Sequence, residues 1–217
     1  MSEIDFLKKT FGANYGEIAI FDIGAADFGH TIAFKDAFPN AMVYAFEADA
    51  ENINKHLHRV SGASNVVVTP CAISDKKGEA TFFPSENYNG QPWRYSGSLM
   101  KPIVAPGTNE ETAHPGLRYD MNGVKVKTVR LDDFCKKNRI KKIDYMHIDV
   151  QGAEYKVVVG LGDLRPTYIF AETCEFETYD TGVTLSDFDE LMKEKGYKII
   201  QRHDYDTLYV YDGKPIA

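Results

Sequence analysis

The 217-residue chain has only three cysteines, Cys71, Cys135 and Cys174. They are odd in number and scattered, so no disulfide framework is expected and a reducing compartment is the default. Positive charge is also short: 25 Lys and Arg against 32 Asp and Glu leave a formal net charge of −7. Non-specific attachment to nucleic acid or to an anionic membrane needs a basic surface, so neither is expected as a partner. Long apolar runs are missing as well. None approaches the roughly 20 residues that span a bilayer, and Met1 to Thr10 lacks the apolar core of a secretory leader. Together these absences predict a cytoplasmic protein. No internal repeat, low-complexity tract or linker divides the chain, and its length and 43% hydrophobic content suit one domain over residues 1–217.

What is present begins with Phe21-Asp22-Ile23-Gly24-Ala25-Ala26-Asp27-Phe28-Gly29-His30-Thr31. Ile18 to Ile23 reads as a buried strand, Gly24 to Ala26 as a small-residue turn open to a ligand, and Gly29 to Phe38 as a helix whose free amides face that turn. Nucleotide-like cofactors bind at such strand-turn-helix units, but many α/β proteins have the unit without a cofactor. A second strand, Met42 to Phe46, ends at Glu47, 23 positions after Gly24. Dinucleotide folds place the acid that holds ribose hydroxyls there; the alternative is a surface acid at a strand end. Ile53, Leu57 and Val60 then share one helix face, with Asp49 as cap and Gly62 as stop. Val66 to Val68 reads as a third buried strand.

After Asp75-Lys76-Lys77-Gly78, a turn by composition, the pattern becomes antiparallel. Glu79 to Phe83 is expected to pair with Val124 to Val129. The stretch between, Pro84 to Gly123, has little periodicity, and a loop of about 40 residues in a compact domain is a lid, a binding loop or disordered. Trp93, Tyr95 and Ser96-Gly97-Ser98-Leu99 favour a binding loop. Leu131 to Asn138 reads as a helix with acids at its start and lysines at its end, matching the helix dipole. Ile143 to Ile148 and Thr167 to Ala171 read as strands ending at Asp149 and Glu172. A helix from Thr184 or Ser186 to Gly196 precedes two strands, Tyr197 to Gln201 and Thr207 to Tyr211, whose short link permits only an antiparallel pair.

Three segments in this order resemble the FkbM-type methyltransferases: Phe21-Asp22-Ile23-Gly24-Ala25, Tyr44-Ala45-Phe46-Glu47-Ala48-Asp49, and Ile148-Asp149-Val150-Gln151-Gly152-Ala153-Glu154. Cys71 to Ala80 and Val129 to Phe134 are similar to the family pattern too. The resemblance covers roughly residues 18 to 175, and the Asp149 to Glu154 run is its most specific part. It implies an α/β fold with a Rossmann-like, seven-stranded, mostly parallel sheet, helices on both faces, a closing antiparallel hairpin and an inserted β-hairpin and loop at 84–123. One departure stands out: Gly24 and Gly29 are separated by one residue more than in the family's typical first turn.

The resemblance further implies S-adenosylmethionine as cofactor and methylation of a hydroxyl on a sugar, glycan or small-molecule acceptor. Asp22, Gly24 and Ala25 would meet its amino-acid end, Glu47 its ribose, and Ala72 and Ile73 its adenine, with Asp149 at the cleft. Asp22 could instead cap the following helix. An oxygen acceptor must lose a proton, which calls for a base or a metal. Asp149 and Glu172 are the candidate catalytic pair, as base and orienter or as ligands of a divalent cation such as Mg2+; otherwise Asp149 is a helix cap and Glu172 the partner of a buried base. Trp93, Tyr95, Ser98 and Glu154 are candidates for acceptor binding, although Glu154 also suits a helix start and the aromatics could simply anchor their loop. His147 reads as a core histidine. The rival functions are an NAD(P)-dependent oxidoreductase, disfavoured by the missing Gly-x-Gly-x-x-Gly and the closing hairpin, an RNA ribose methyltransferase, and a catalytically silent scaffold.

Overall fold

The computed structural model describes residues 3–12, 18–104, 115–173 and 179–213. Cys174 and the middle of the inserted loop, 105–114, lie outside them. Along the chain the strands are β1 (Ala19–Ile23), β2 (Met42–Glu47), β3 (Val66–Pro70), β4 (Ala72–Ile73), β5 (Gly78–Phe82), β6 (Ser85–Tyr88), β7 (Gln91–Pro92), β8 (Lys101–Pro102), β9 (Leu117–Tyr119), β10 (Val124–Val129), β11 (Tyr145–Ile148), β12 (Tyr168–Glu172), β13 (Tyr179–Asp180), β14 (Tyr197–His203) and β15 (Asp206–Tyr211). The α-helices are α1 (Glu3–Phe11), α2 (Gly29–Ala37), α3 (Ala50–His56), α4 (Leu131–Asn138), α5 (Glu154–Val159) and α6 (Leu185–Glu194).

Seven strands form the main sheet in the order β14-β15-β12-β11-β1-β2-β3. From β3 to β12 they run parallel, while β15 pairs antiparallel with β12 and β14 antiparallel with β15. The chain moves outward from β1 through β2 to β3, then returns to the other side of β1 with β11. This reversal opens a crevice at the carboxyl ends of β1 and β11, where open α/β sheets bind ligands.

Strand alternation sorts the core into two layers. Phe21, Ile23, Met146, Ile148, Ile169 and Ala171 face α4, α5 and α6, through Leu131, Cys135, Val157, Val158, Phe188 and Met192. Ile20, Val43, Tyr145 and Leu208 face α1 and α2, through Leu7, Phe34 and Phe38. Each fully buried side chain of this kind contributes about 1.5–3 kcal/mol, so the two faces rather than helix propensity fix the layering. The expected helices on both faces are therefore present. Among the described residues no helix is long and apolar enough to cross a membrane.

Two expectations need correction, and one helix was not foreseen. The face Ile53-Leu57-Val60 is not buried throughout: the α-helix ends at His56 and a 3-10 turn follows, leaving Leu57 39% exposed. Val66 to Val68 is not a fully buried strand, because β3 is the sheet edge and Val67 is 38% exposed. Helix α1 was not foreseen, since only Leu7 of it is buried and its apolar stripe is short. The inserted stretch is also more structured than its aperiodic sequence suggests. Strand β6 pairs with β7 and β9, and Leu117, Tyr119 and Tyr179 make a small satellite core with Tyr88, Trp93, Met100 and Met121 around it.

Candidate active site

The first turn is built by contact between β1 and β11. A Cβ on Gly24 would stand 1.8 Å from the carbonyl oxygen of Asp149, and its φ is +90°, so only glycine fits there. The amides of Gly24 and Ala25 both donate to the Phe46 carbonyl at 3.0 Å. In this turn two non-glycine residues take left-handed conformations, Ala26 at φ 46° and Phe28 at φ 64°, with Phe28 fully buried. Asp27 caps the Gly29 amide at 2.9 Å and binds Arg59.

Glu47 closes the strand beside this turn. It is buried, and its two oxygens accept the amides of Ala26 and Asp49, each at 2.6 Å. Burial pushes its pKa up to about 7, a rise that these amides only partly offset. Ile23, Gly24, Phe46, Glu47, Ala72 and Ile73 line a cavity that also touches Asp149 and Gln151. Its other wall is the inserted stretch, through Arg94, Tyr95, Gly97 and Leu99. Arg94 is latched to Asp49 by two hydrogen bonds, of 3.0 and 2.9 Å, and its carbonyl accepts from Asn52 at 2.9 Å. The same Asp49 caps α3 through the Glu51 amide. The cavity holds about 50 Å³, room for a few water molecules.

On the far side of Asp149 lies a larger cleft of about 580 Å³, with Glu3, His30, His147, Glu172 and Asp206 among its lining residues. Asp149 is thus shared by the cavity and the cleft. The Gln151 amide nitrogen donates to Asp149 at 2.7 Å and to Glu172 at 2.5 Å, while its oxygen accepts from the Tyr179 hydroxyl at 3.1 Å. Burial and the neighbouring Asp149 hold the Glu172 carboxyl well above the usual carboxylate range, so at neutral pH it keeps its proton. A cation bridging this pair would need the place that the Gln151 nitrogen takes as donor to both. Among the described residues, the one group of three potential metal ligands lies elsewhere, on Glu3, His30 and His147.

The other expected site residues fall into place unevenly. Glu154 is buried and braces its own loop by accepting the Val150 and Gly152 amides at 3.1 and 3.2 Å, so it lines neither space. Burial raises its pKa to about 7. Ser98 donates to the Gln151 carbonyl at 2.7 Å and so ties the inserted stretch to the Asp149 loop. Trp93 packs within the satellite core and donates to Ser96 at 2.9 Å, whereas Tyr95 borders the cavity. Ala25 is buried beside Phe28 and Val60. Asp22 points to the α1–α2 side of the sheet, where Thr31 donates to it and, among the described residues, its other oxygen has no partner.

Sequence reasoning missed Arg94, Asn52, Tyr179 and the bridging part of Gln151. A basic residue between two aromatics in an aperiodic loop carries no periodic signal, and Gln151 was visible only as part of a motif. Its φ of 55° places a non-glycine in the left-handed region, which is where functional turns store strain.

Residues 22–199 match the methyltransferase FkbM domain. Among curated proteins, the chain is 29% identical over 164 residues to the 2-O-methyltransferase NoeI of Sinorhizobium fredii, an alignment covering 74% of this chain and 65% of that protein. It is 26% identical over 220 residues to Methyltransferase 1 of Beauveria bassiana, covering 94% of this chain and 85% of that one. In three dimensions it resembles the fibrillarin pre-rRNA processing protein of Methanococcus jannaschii with a TM-score of 0.51 at 12% identity, over 91% of this chain and 68% of that one, a likeness of fold alone. With a match running over most of its length, the chain belongs to the FkbM-domain methyltransferases, a family whose methyl donor is S-adenosylmethionine.

Proposed function

We propose that this chain transfers a methyl group from S-adenosylmethionine to a hydroxyl of a sugar or sugar-like acceptor. The observation that carries the reading is Asp149, which borders both the small cavity behind the first turn and the open cleft beyond it. The cavity's residues fit the donor: Glu47 ends β2 as a buried acceptor for ribose hydroxyls, and Phe46, Ala72 and Ile73 offer apolar contact to adenine. When bound, the donor supplies an activated methyl on a sulfonium, which leaves in an in-line displacement. The protein's work is therefore positioning.

In this reading the acceptor lies in the cleft with its hydroxyl against Asp149. That carboxylate takes the hydroxyl proton as the new carbon–oxygen bond forms. Glu172 keeps its own proton, and the Gln151 amide, fixed by Tyr179, orients both side chains. Phe6 and Phe170 in the cleft wall give apolar surface for a ring to lie against. The name of NoeI, a 2-O-methyltransferase, supports oxygen as the acceptor atom.

The test is to incubate the protein with S-adenosylmethionine and a panel of oligosaccharides, and to look by mass spectrometry for a product heavier by one methylene. An O-methyl sugar that disappears in Asp149→Asn supports the reading. Turnover of only amine or thiol acceptors would overturn it.

A further inference from the structure

A second constellation lies on the α1–α2 face of the sheet, where the Tyr145 hydroxyl also donates to Glu3, and methyl transfer does not account for it. Glu3 from α1, His30 from the first turn of α2 and His147 from β11 each offer one ligand atom, and these atoms all lie within 4.8 Å of one another. All three side chains line the cleft. His147 Nδ1 is 3.1 Å from Glu3 Oε1, and His30 Nε2 is 3.9 Å from Glu3 Oε2. The two imidazole rings are 4.2 Å apart. Ligand atoms around a tetrahedral zinc ion stand roughly 3.3 Å apart; the His147–Glu3 separation of 3.1 Å is close to that, while His30 approaches the other Glu3 oxygen.

Two orphaned atoms sharpen the picture. His147 is 4% exposed and Asp22 fully buried, and among the described residues neither His147 Nε2 nor Asp22 Oδ1 has a partner. These residues sit opposite one another in the β1–β11 register, on the same face of the sheet. If Nδ1 of His147 binds a metal, Nε2 must carry the ring hydrogen, and the unpartnered Asp22 oxygen is the nearby acceptor that would fix that tautomer. Metal-binding histidines characteristically hand their second nitrogen to a carboxylate in this way.

We infer that Glu3, His30 and His147 form a site for a divalent transition ion of the zinc type, with Asp22 as the carboxylate behind His147. Two imidazoles and one carboxylate match the ligand preferences of zinc and leave a fourth position. That position opens on the cleft, where an oxygen ligand can enter. That this ligand is the acceptor hydroxyl rests on the function proposed above; the site itself does not.

The experiment is a titration of the full chain, stripped with a chelator, with Zn2+ and Co2+ in the absence of donor and acceptor. One equivalent should bind saturably, Co2+ should show the visible bands of a four-coordinate site, and Zn2+ should raise the melting temperature. His30→Ala, at the exposed rim of the site, and Glu3→Gln should each weaken binding at least tenfold. Asp22→Asn should weaken it about 10–100-fold, and His58→Ala, on the 3-10 turn after α3, should leave it unchanged. A Co2+ spectrum like that of the hydrated ion, equal affinity in Glu3→Gln and His30→Ala, or loss in His58→Ala would overturn the proposal. Because no methyl donor is present, such a failure would leave the proposed function standing.

Discussion

Asp149 and Glu172 end adjacent parallel strands, and one nitrogen, that of the Gln151 amide, donates to both, at 2.7 and 2.5 Å. The two acids thereby act as a single unit at the boundary between cavity and cleft. Asp149→Asn keeps the shape of this unit and removes its base. It should lower kcat about 10²–10⁴-fold while leaving S-adenosylhomocysteine affinity within a few-fold of the native value. Single-turnover rates beside a calorimetric titration check both parts; native turnover in the variant would remove Asp149 from the chemistry.

Gly24 meets the Asp149 carbonyl so closely that a methyl group cannot be placed between them. Gly24→Ala should cost about 3 kcal/mol or more, because both the positive φ and a backbone atom oppose it. Denaturant midpoints measure this. A variant of native stability would mean that the two strand ends are free to separate.

Arg94 holds the inserted stretch against α3 through Asp49. Arg94→Ala removes a charge-assisted pair worth about 1–3 kcal/mol and should speed release of S-adenosylhomocysteine roughly tenfold or more. Stopped-flow dissociation rates decide it, and an unchanged rate would show that the latch does not gate the cavity.

Glu47 titrates near pH 7 because burial disfavours its charge. Only the ionised form accepts two ribose hydroxyls, so cofactor affinity should rise about tenfold from pH 6 to pH 8, and Glu47→Gln should flatten that profile. A native profile that is flat, or that falls with pH, would contradict this role.

Glu154 carries its charge in the core, and its pKa rises from 4.5 to about 7. Between those values the folded state binds more protons than the unfolded one, so this group's contribution to stability falls as pH rises. Glu154→Gln retains an acceptor oxygen for the Val150 and Gly152 amides and removes the charge. It should be more stable than the native protein by up to about 3 kcal/mol at pH 8, with the difference vanishing toward pH 4.5. Melting curves at the two pH values test the sign.

The main sheet was legible in the sequence wherever burial is periodic. The strands ending at Glu47, Asp149 and Glu172 stand out because a sharp apolar run stops at an acid, and the last hairpin because its linker is too short for a crossover. Asp49 was readable as a cap, and Thr184 as one of two candidates with Ser186, because capping is local chemistry; the structure has Asp49 accepting the Glu51 amide and Thr184 the Asp187 amide. What was not legible depends on contacts distant in sequence. Arg94 finds Asp49 across 45 positions, and Glu3 finds His147 across 144. No spacing rule reaches that far. His147 read as a core histidine and is buried, but that it stands beside Asp22 on the α1–α2 face follows only from the strand register.

The central claim is that the cavity closed by Glu47 and Arg94 receives the nucleoside of the methyl donor. Calorimetric titration of native protein and Glu47→Ala with S-adenosylhomocysteine at pH 8 tests it most directly. The account predicts one saturable site whose affinity drops by about a hundredfold in the variant, as losing hydrogen bonds to a charged group requires; equal affinity in the two proteins, or no binding to either, would contradict it.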